Sequence, residues 1–222
     1  MNEILFFASI IIGFCLVLVF YKFFGRLGLF LWISIVAIIA NIEILKCVDI
    51  FGVPVTLGNE LFCSIALATD IINEKYGGKE ARKSAWIGFL SLSSLVLLSQ
   101  IALLFEPNNI DFASNAMETI FSTTPRLCVA SLLCFLVSNI FDTYVFAWLK
   151  TRFSTLWVRV NISTFISQFV DSMLFCLLAF TFELPFKEVI VLGLTMYATK
   201  VIITMFNTPF VYLSKKIKPL HD

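Results

Sequence analysis

The sequence predicts an all-α fold: a polytopic transmembrane helical bundle of about seven spans, a six-span core preceded by an N-terminal helix. Three observations carry this expectation. Of the 222 residues, 59% are hydrophobic and only 14% are charged, where a soluble domain is about half apolar and about a quarter charged; mean hydropathy is +0.95. Seven apolar stretches of span length follow one another along the chain. The basic residues gather in alternate connections between them. A soluble fold of this length could not bury so much apolar surface. Lipid is therefore the expected surrounding, and 1–222 reads as a single integral membrane domain.

A span needs about 20 mostly apolar residues. The segments that qualify are 4–24, 28–46, 56–75, 84–105, 126–149, 160–182 and 187–213. The first has the length of a helix, lacks a basic start and is followed by no A-x-A site, so it reads as a retained helix and not a signal peptide. The third is the least apolar, with Glu60 and Asp70 inside it. The last is long enough to tilt, or to bend near Pro209. Pro54, Gly77-Gly78, Pro107, Pro125 and Pro185 fall at or between segment ends, where helices break. The longest connection, 106–125, has room for a short surface helix at about 111–121.

Orientation follows from charge. Lys22 and Arg26, then Lys75, Lys79, Arg82 and Lys83, then Lys150, Arg152 and Arg159, and finally Lys215, Lys216 and Lys218 place twelve basic residues on one side. Only Lys46 and Lys187 lie on the other, with Glu106, Asp111, Glu118, Glu183 and Glu188. This split supports an outside N-terminus and a cytoplasmic C-terminus in a bacterial cell membrane.

Several charges remain inside spans. A charge at the bilayer centre costs about 2.5–3.5 kcal/mol on insertion scales, so such residues pair, face the bundle interior or line a watery cavity. Glu43, Glu60 and Arg126 sit near helix ends, where snorkelling or capping accounts for them. Asp171 and Lys200 lie well inside their helices. The polar residues also share faces. Asn161, Thr164, Gln168, Asp171 and Ser172 recur at steps of three and four. Ser131, Ser138 and Asp142 do the same in the fifth segment with Asn139 beside them, and so do Thr199, Lys200, Thr204 and Asn207 in the last. Asp70, Asn73 and Glu74 cluster at the end of the third. Polar stripes can serve as interhelical glue, but glue rarely needs so many full charges. A shared polar cavity is expected, and with it transport. Carboxylates and amides read planar donor and acceptor edges, and aromatic rings supply stacking faces. A planar base, an amino acid, a vitamin and a cation all fit that description.

At 41–89 the residues NIEILKCVDIFGVPVTLGNELFCSIALATDIINEKYGGKEARKSAWIGF carry a specific pattern, centred on TDIINEKYG at 69–77 and KEARK at 79–83. Arg126, NIFDTYVF at 139–146, SQFVDS at 167–172 and Lys200 extend it. Over about 28–213 the chain resembles the queuosine precursor transporter family, and the first helix looks like an N-terminal addition. The resemblance implies an integral membrane carrier that imports 7-deazaguanine bases: 7-cyano-7-deazaguanine, 7-aminomethyl-7-deazaguanine or queuine, for queuosine salvage and tRNA modification. It carries over Asn41, Asp70, Glu74, Arg126, Asp142, Gln168, Asp171 and Lys200 as substrate-binding positions. As roles for them we expect Asp171 and Gln168 to hold the guanine edge, and Arg126 and Lys200 to offset the acids and donate to the cargo's oxygen. Asp70 and Glu74 have a second reading, a cytoplasmic gate with Lys75, Arg82 or Lys83.

The rival readings are the substrate-binding membrane subunit of an ATPase-driven vitamin importer, a membrane enzyme, and a scaffold without cargo. No GxxxxGK[ST], HExxH or GxSxG occurs, and the one His is at the C-terminus, so no enzyme, cofactor or metal is expected. The six cysteines form no CxxC and read as small hydrophobes. A net charge of +1 points to no nucleic acid partner. The expected partners are a small purine-like base and the lipid bilayer; neither oligomeric state nor energy source is set by the sequence.

Overall fold

The structure is a computed structural model that describes residues 2–43, 45–121, 125–181, 185–204 and 206–220. It contains α1 (Asn2–Glu43), a hairpin of β1 (Cys47–Ile50) and β2 (Val53–Thr56), then α2 (Asn59–Tyr76), α3 (Gly78–Leu103), α4 (Ser114–Phe121), α5 (Pro125–Arg152), α6 (Leu156–Phe180), α7 (Phe186–Thr204) and α8 (Asn207–Lys216). Among the described residues the fold is all-α apart from this small hairpin.

The first two expected spans appear as the two arms of α1. Gly25 has φ 55° and ψ −134°, which no helix accommodates. Beyond it the helix returns on itself: the Phe20 and Trp32 rings lie 5.4 Å apart, although twelve residues of straight helix would cover about 18 Å. Both ends of α1 meet the same hairpin. The Asn2 amide donates to the carbonyl of Asp49, and the Phe51 N–H donates to Glu3. A glycine at 25 supplies the left-handed φ of the reversal, and Gly28 lets the arms close, since a Cβ there would sit 2.1 Å from the Phe20 carbonyl oxygen.

The hairpin was not expected from the sequence. Its two-residue loop, Phe51-Gly52, has positive φ at both positions, as a tight antiparallel turn requires. It shortens the third expected span, so α2 begins at Asn59. The expected surface helix is α4, capped by Asp111, whose carboxylate accepts from the Ser114 hydroxyl and from the N–H groups of Ser114 and Ala113. Those donors hold the Asp111 carboxyl below its ordinary range. The last expected span, 187–213, is two helices. The break falls between Thr204 and Asn207, ahead of Pro209. Proline fits the first turn of a helix, where its missing N–H has no partner to lose, and it ends any helix arriving from before it.

The packing is inverted relative to a soluble protein. On α5, Val129, Leu133, Val137, Phe141, Tyr144 and Trp148 are exposed along one stripe, while Cys134, Ser138 and Asp142, on an adjacent stripe turned into the bundle, are buried. Asp70, Asn161, Lys200 and Asn207 are also buried. Among the described residues four helices are long and apolar enough to cross a membrane: α1, α3, α5 from Val129, and α6. α2, carrying Glu60, Asp70, Glu74 and Lys75, is not one of them.

The connections expected on one side do meet at one end of the bundle. Arg26 lies 3.2 Å from Glu80. Lys75 donates to the Tyr21 hydroxyl and to the carbonyls of Ser214 and Ile217. The Leu220 N–H donates to the carbonyl of Lys22. Trp86, Trp148, Trp157 and Tyr212, exposed near this basic end, have the position of an interfacial aromatic belt.

Candidate functional site

A pocket opens in the half of the bundle nearer the β-hairpin. It is built from the first turns of α2, the stretch Ser131–Asn139 of α5, Gln168–Phe175 of α6, and Met196 and Lys200 of α7, with Asn41 of α1 at its edge. Its space, counted to the open mouth, is about 710 Å³, within the usual range of small-molecule sites.

Helical spacing explains why these residues converge. Gln168 and Asp171 are three apart on α6, and Ser131, Ser138 and Asn139 share a face of α5. The α6 and α7 faces meet at an ion pair: the Lys200 ammonium donates to Asp171 Oδ2 at 2.5 Å, and the Ser138 hydroxyl donates to Asp171 Oδ1 at 2.9 Å. Both carboxylate oxygens are thus engaged, yet each retains a lone pair, and Lys200 keeps two further N–H groups. Gln168 makes no hydrogen bond among the described residues. Asn41 and Asn139 donate back to the carbonyls of Ala37 and Phe135, leaving their amide oxygens as acceptors. Phe62, Phe135 and Phe175 wall the pocket, with the first two rings 6.3 Å apart and tilted by 51°. The site therefore combines aromatic walls with one acid, one ammonium and the amides of Asn41, Asn59, Asn139 and Gln168.

Of the expected positions, the structure brings Asn41, Gln168, Asp171 and Lys200 together at this pocket. It does not bring Asp70, Glu74 or Asp142 to it. Asp142 accepts from the Ser167 hydroxyl at 3.0 Å on the far side of α5 from the lipid. Glu74 sits at the basic end, where Arg159 and Lys215 reach Oε1 at 3.1 and 3.0 Å and Lys150 lies 3.4 Å from Oε2. These cations replace the Lys75, Arg82 and Lys83 expected from sequence proximity. Lys75 is turned to Tyr21 and α8, Arg82 lies over the Tyr144 ring, and Lys83 pairs with Glu80. The side chain of Arg126 lies outside the described structure.

Sequence reasoning missed Phe62, Phe135 and Phe175. With 25 phenylalanines in the chain, nothing singled out these three. Ser138 and Asn139 were visible on the polar face of α5, but their closeness to Asp171 required the tertiary fold.

A bundle with apolar outer faces, buried charges and a polar pocket closed at one end by ion pairs is that of a multi-pass membrane transporter. Comparison with known proteins agrees. The family described as "Putative vitamin uptake transporter" matches residues 56–214. A curated relative, the "Probable queuosine precursor transporter" of Bacillus subtilis (strain 168), is 40% identical over 212 residues, covering 94% of this chain and 93% of the relative. The chain belongs to this transporter family. A match over 94% of the chain reaches into both arms of α1, so the N-terminal helix is shared with that relative. No solved structure matches the chain.

Proposed function

We propose that the protein imports queuosine precursors, 7-deazaguanine bases such as 7-cyano-7-deazaguanine, 7-aminomethyl-7-deazaguanine or queuine, across the cell membrane. One observation carries this reading: an acid, an ammonium and an unpartnered amide converge beside aromatic walls. The guanine edge presents a ring N–H and an exocyclic amine next to a ring oxygen. Asp171 accepts from the donors, and Lys200 or Gln168 donates to the oxygen. Phe62, Phe135 and Phe175 offer faces to the flat ring. The relative's name supports the same class of cargo.

The two arms of α1, together with α2, α3, α5, α6 and the α7–α8 pair, make seven spans in this reading. The basic end faces the cytoplasm by the positive-inside rule, so the N-terminus is outside and the C-terminus inside. In the state described, the pocket lies toward the outer half, and the Glu74 cluster with Arg159, Lys150 and Lys215 closes the inner end.

The test is uptake of labelled 7-cyano-7-deazaguanine by cells that can neither make nor otherwise import such bases. Expression of this protein should restore uptake and queuosine in tRNA. No uptake of any of the three bases by a correctly inserted protein would overturn the reading.

A further inference from the structure

Between the pocket and the basic end lies a buried carboxylate with no donor on it. Asp70 is 0% exposed, and neither of its carboxylate oxygens has a hydrogen-bond partner among the described residues. It stands one turn beyond Ala66, which lines the pocket, and one turn before Glu74 of the closed end. Across from it, α5 presents Asp142, itself buried and held by Ser167. The amide of Asn73 donates to the carbonyl of Thr143 at 3.2 Å, fixing α2 against α5 beside the two acids.

Two acids buried on packed neighbouring helices call for a positive charge between them. The neighbouring cations are already committed. Arg159 of α6, Lys150 of α5 and Lys215 of α8 face Glu74. Lys200 of α7 faces Asp171. Arg26 of α1 and Lys83 of α3 face Glu80. A metal cation requires several oxygen ligands, and among the described residues no group of three His, Cys, Asp or Glu is placed to hold one. A proton requires one oxygen.

We infer that Asp70 and Asp142 form a proton site that couples cargo movement to proton entry. This rests on the import reading above. On the outer side, a proton from water bonds to one carboxylate oxygen, converting COO⁻ to COOH. With the acid neutral and cargo in the pocket, α2 and α5 lose the repulsion between their facing acids and can rearrange. On the inner side, the O–H bond breaks and the proton passes to cytoplasmic water. One proton enters with one base.

Two measurements test this. In proteoliposomes, an acid-outside gradient of one pH unit should drive about tenfold accumulation of labelled 7-cyano-7-deazaguanine. Asp70→Asn and Asp142→Asn, which lie off the pocket, should bind the base as wild type does yet only equilibrate it. Infrared spectra of the unliganded protein near neutral pH should show a protonated carboxyl band that Asp70→Asn or Asp142→Asn removes. Gradient-driven accumulation that survives in both variants, accumulation driven instead by a sodium gradient, or the absence of that band would each overturn the proton site. Failure of the wild type to bind any deazaguanine would sink the import reading instead, and the infrared band would still report on the site.

Discussion

In the proposed function the Asp171–Lys200 pair joins recognition to stability. Its side chains are 19% and 10% exposed, so removing one partner leaves the other as a buried charge, at about 3–5 kcal/mol. Asp171→Asn should therefore lower both thermal stability in detergent and affinity for 7-cyano-7-deazaguanine, the latter by about ten- to a hundredfold. The double variant Asp171→Asn/Lys200→Met removes both charges; it should regain most of the stability and none of the binding. Recovery of binding in the double variant would show that the acid is structural only. Gln168→Ala deletes an amide with no hydrogen-bond partner among the described residues, so its melting temperature should stay within a degree or two. Its affinity should fall by about three- to tenfold, and unchanged binding would remove Gln168 from the site. Helical periodicity made Asp171, Gln168 and Lys200 visible in the sequence, because a charge deep in an apolar run needs a reason. Periodicity assigns a residue to a face but does not say which faces meet. That is why Asp70 and Glu74, one turn apart, are expected to act together, whereas the structure separates their partners: Glu74 lies among cations from three other helices, and Asp70 has no hydrogen-bond partner among the described residues.

Among the elements, the reversal in α1 and the break before α8 shape the bundle. A Cβ at Gly28 would meet the Phe20 carbonyl oxygen at 2.1 Å. Backbone meets backbone there, so relief requires the two arms to open. Gly28→Ala should destabilise the protein by about 1–3 kcal/mol or more. Gly13→Ala, on the same helix, adds a methyl only 3.7 Å from Leu61 and Ser64, so it should be close to neutral. Equal melting temperatures for the two variants would contradict the close approach at Gly28. The long apolar runs were legible because a 3.6-residue period and proline or glycine punctuation both mark helices. The β1–β2 hairpin was not legible: its strands are four residues each, and its turn is Phe51-Gly52 in place of the Asn-Gly or Asp-Gly that announces such turns. The break between Thr204 and Asn207 falls earlier than the sequence suggested, since Pro209 belongs to the first turn of the helix it starts.

For the molecule as a whole, the proposed orientation rests on charge. All four connections bearing the twelve basic residues meet at one end, which the alternation of charge along the chain anticipated. In a variant without native cysteines, Thr155→Cys should react with a membrane-impermeant maleimide only after the cells are opened, and Asn109→Cys should react in intact cells. The reverse pattern would invert the orientation and with it the direction of transport. The cargo is the central claim, and competition binding to the purified protein reads it directly. With labelled 7-cyano-7-deazaguanine bound, 7-aminomethyl-7-deazaguanine should displace it. Adenine reverses the donors and acceptors on the edge that the proposed function assigns to Asp171 and Gln168, and a site built for hydrogen bonds rejects such a ligand by up to about 10⁴-fold. Adenine should therefore need at least about a hundredfold higher concentration. Displacement by adenine, riboflavin or biotin at the concentrations that suffice for a deazaguanine would contradict the account.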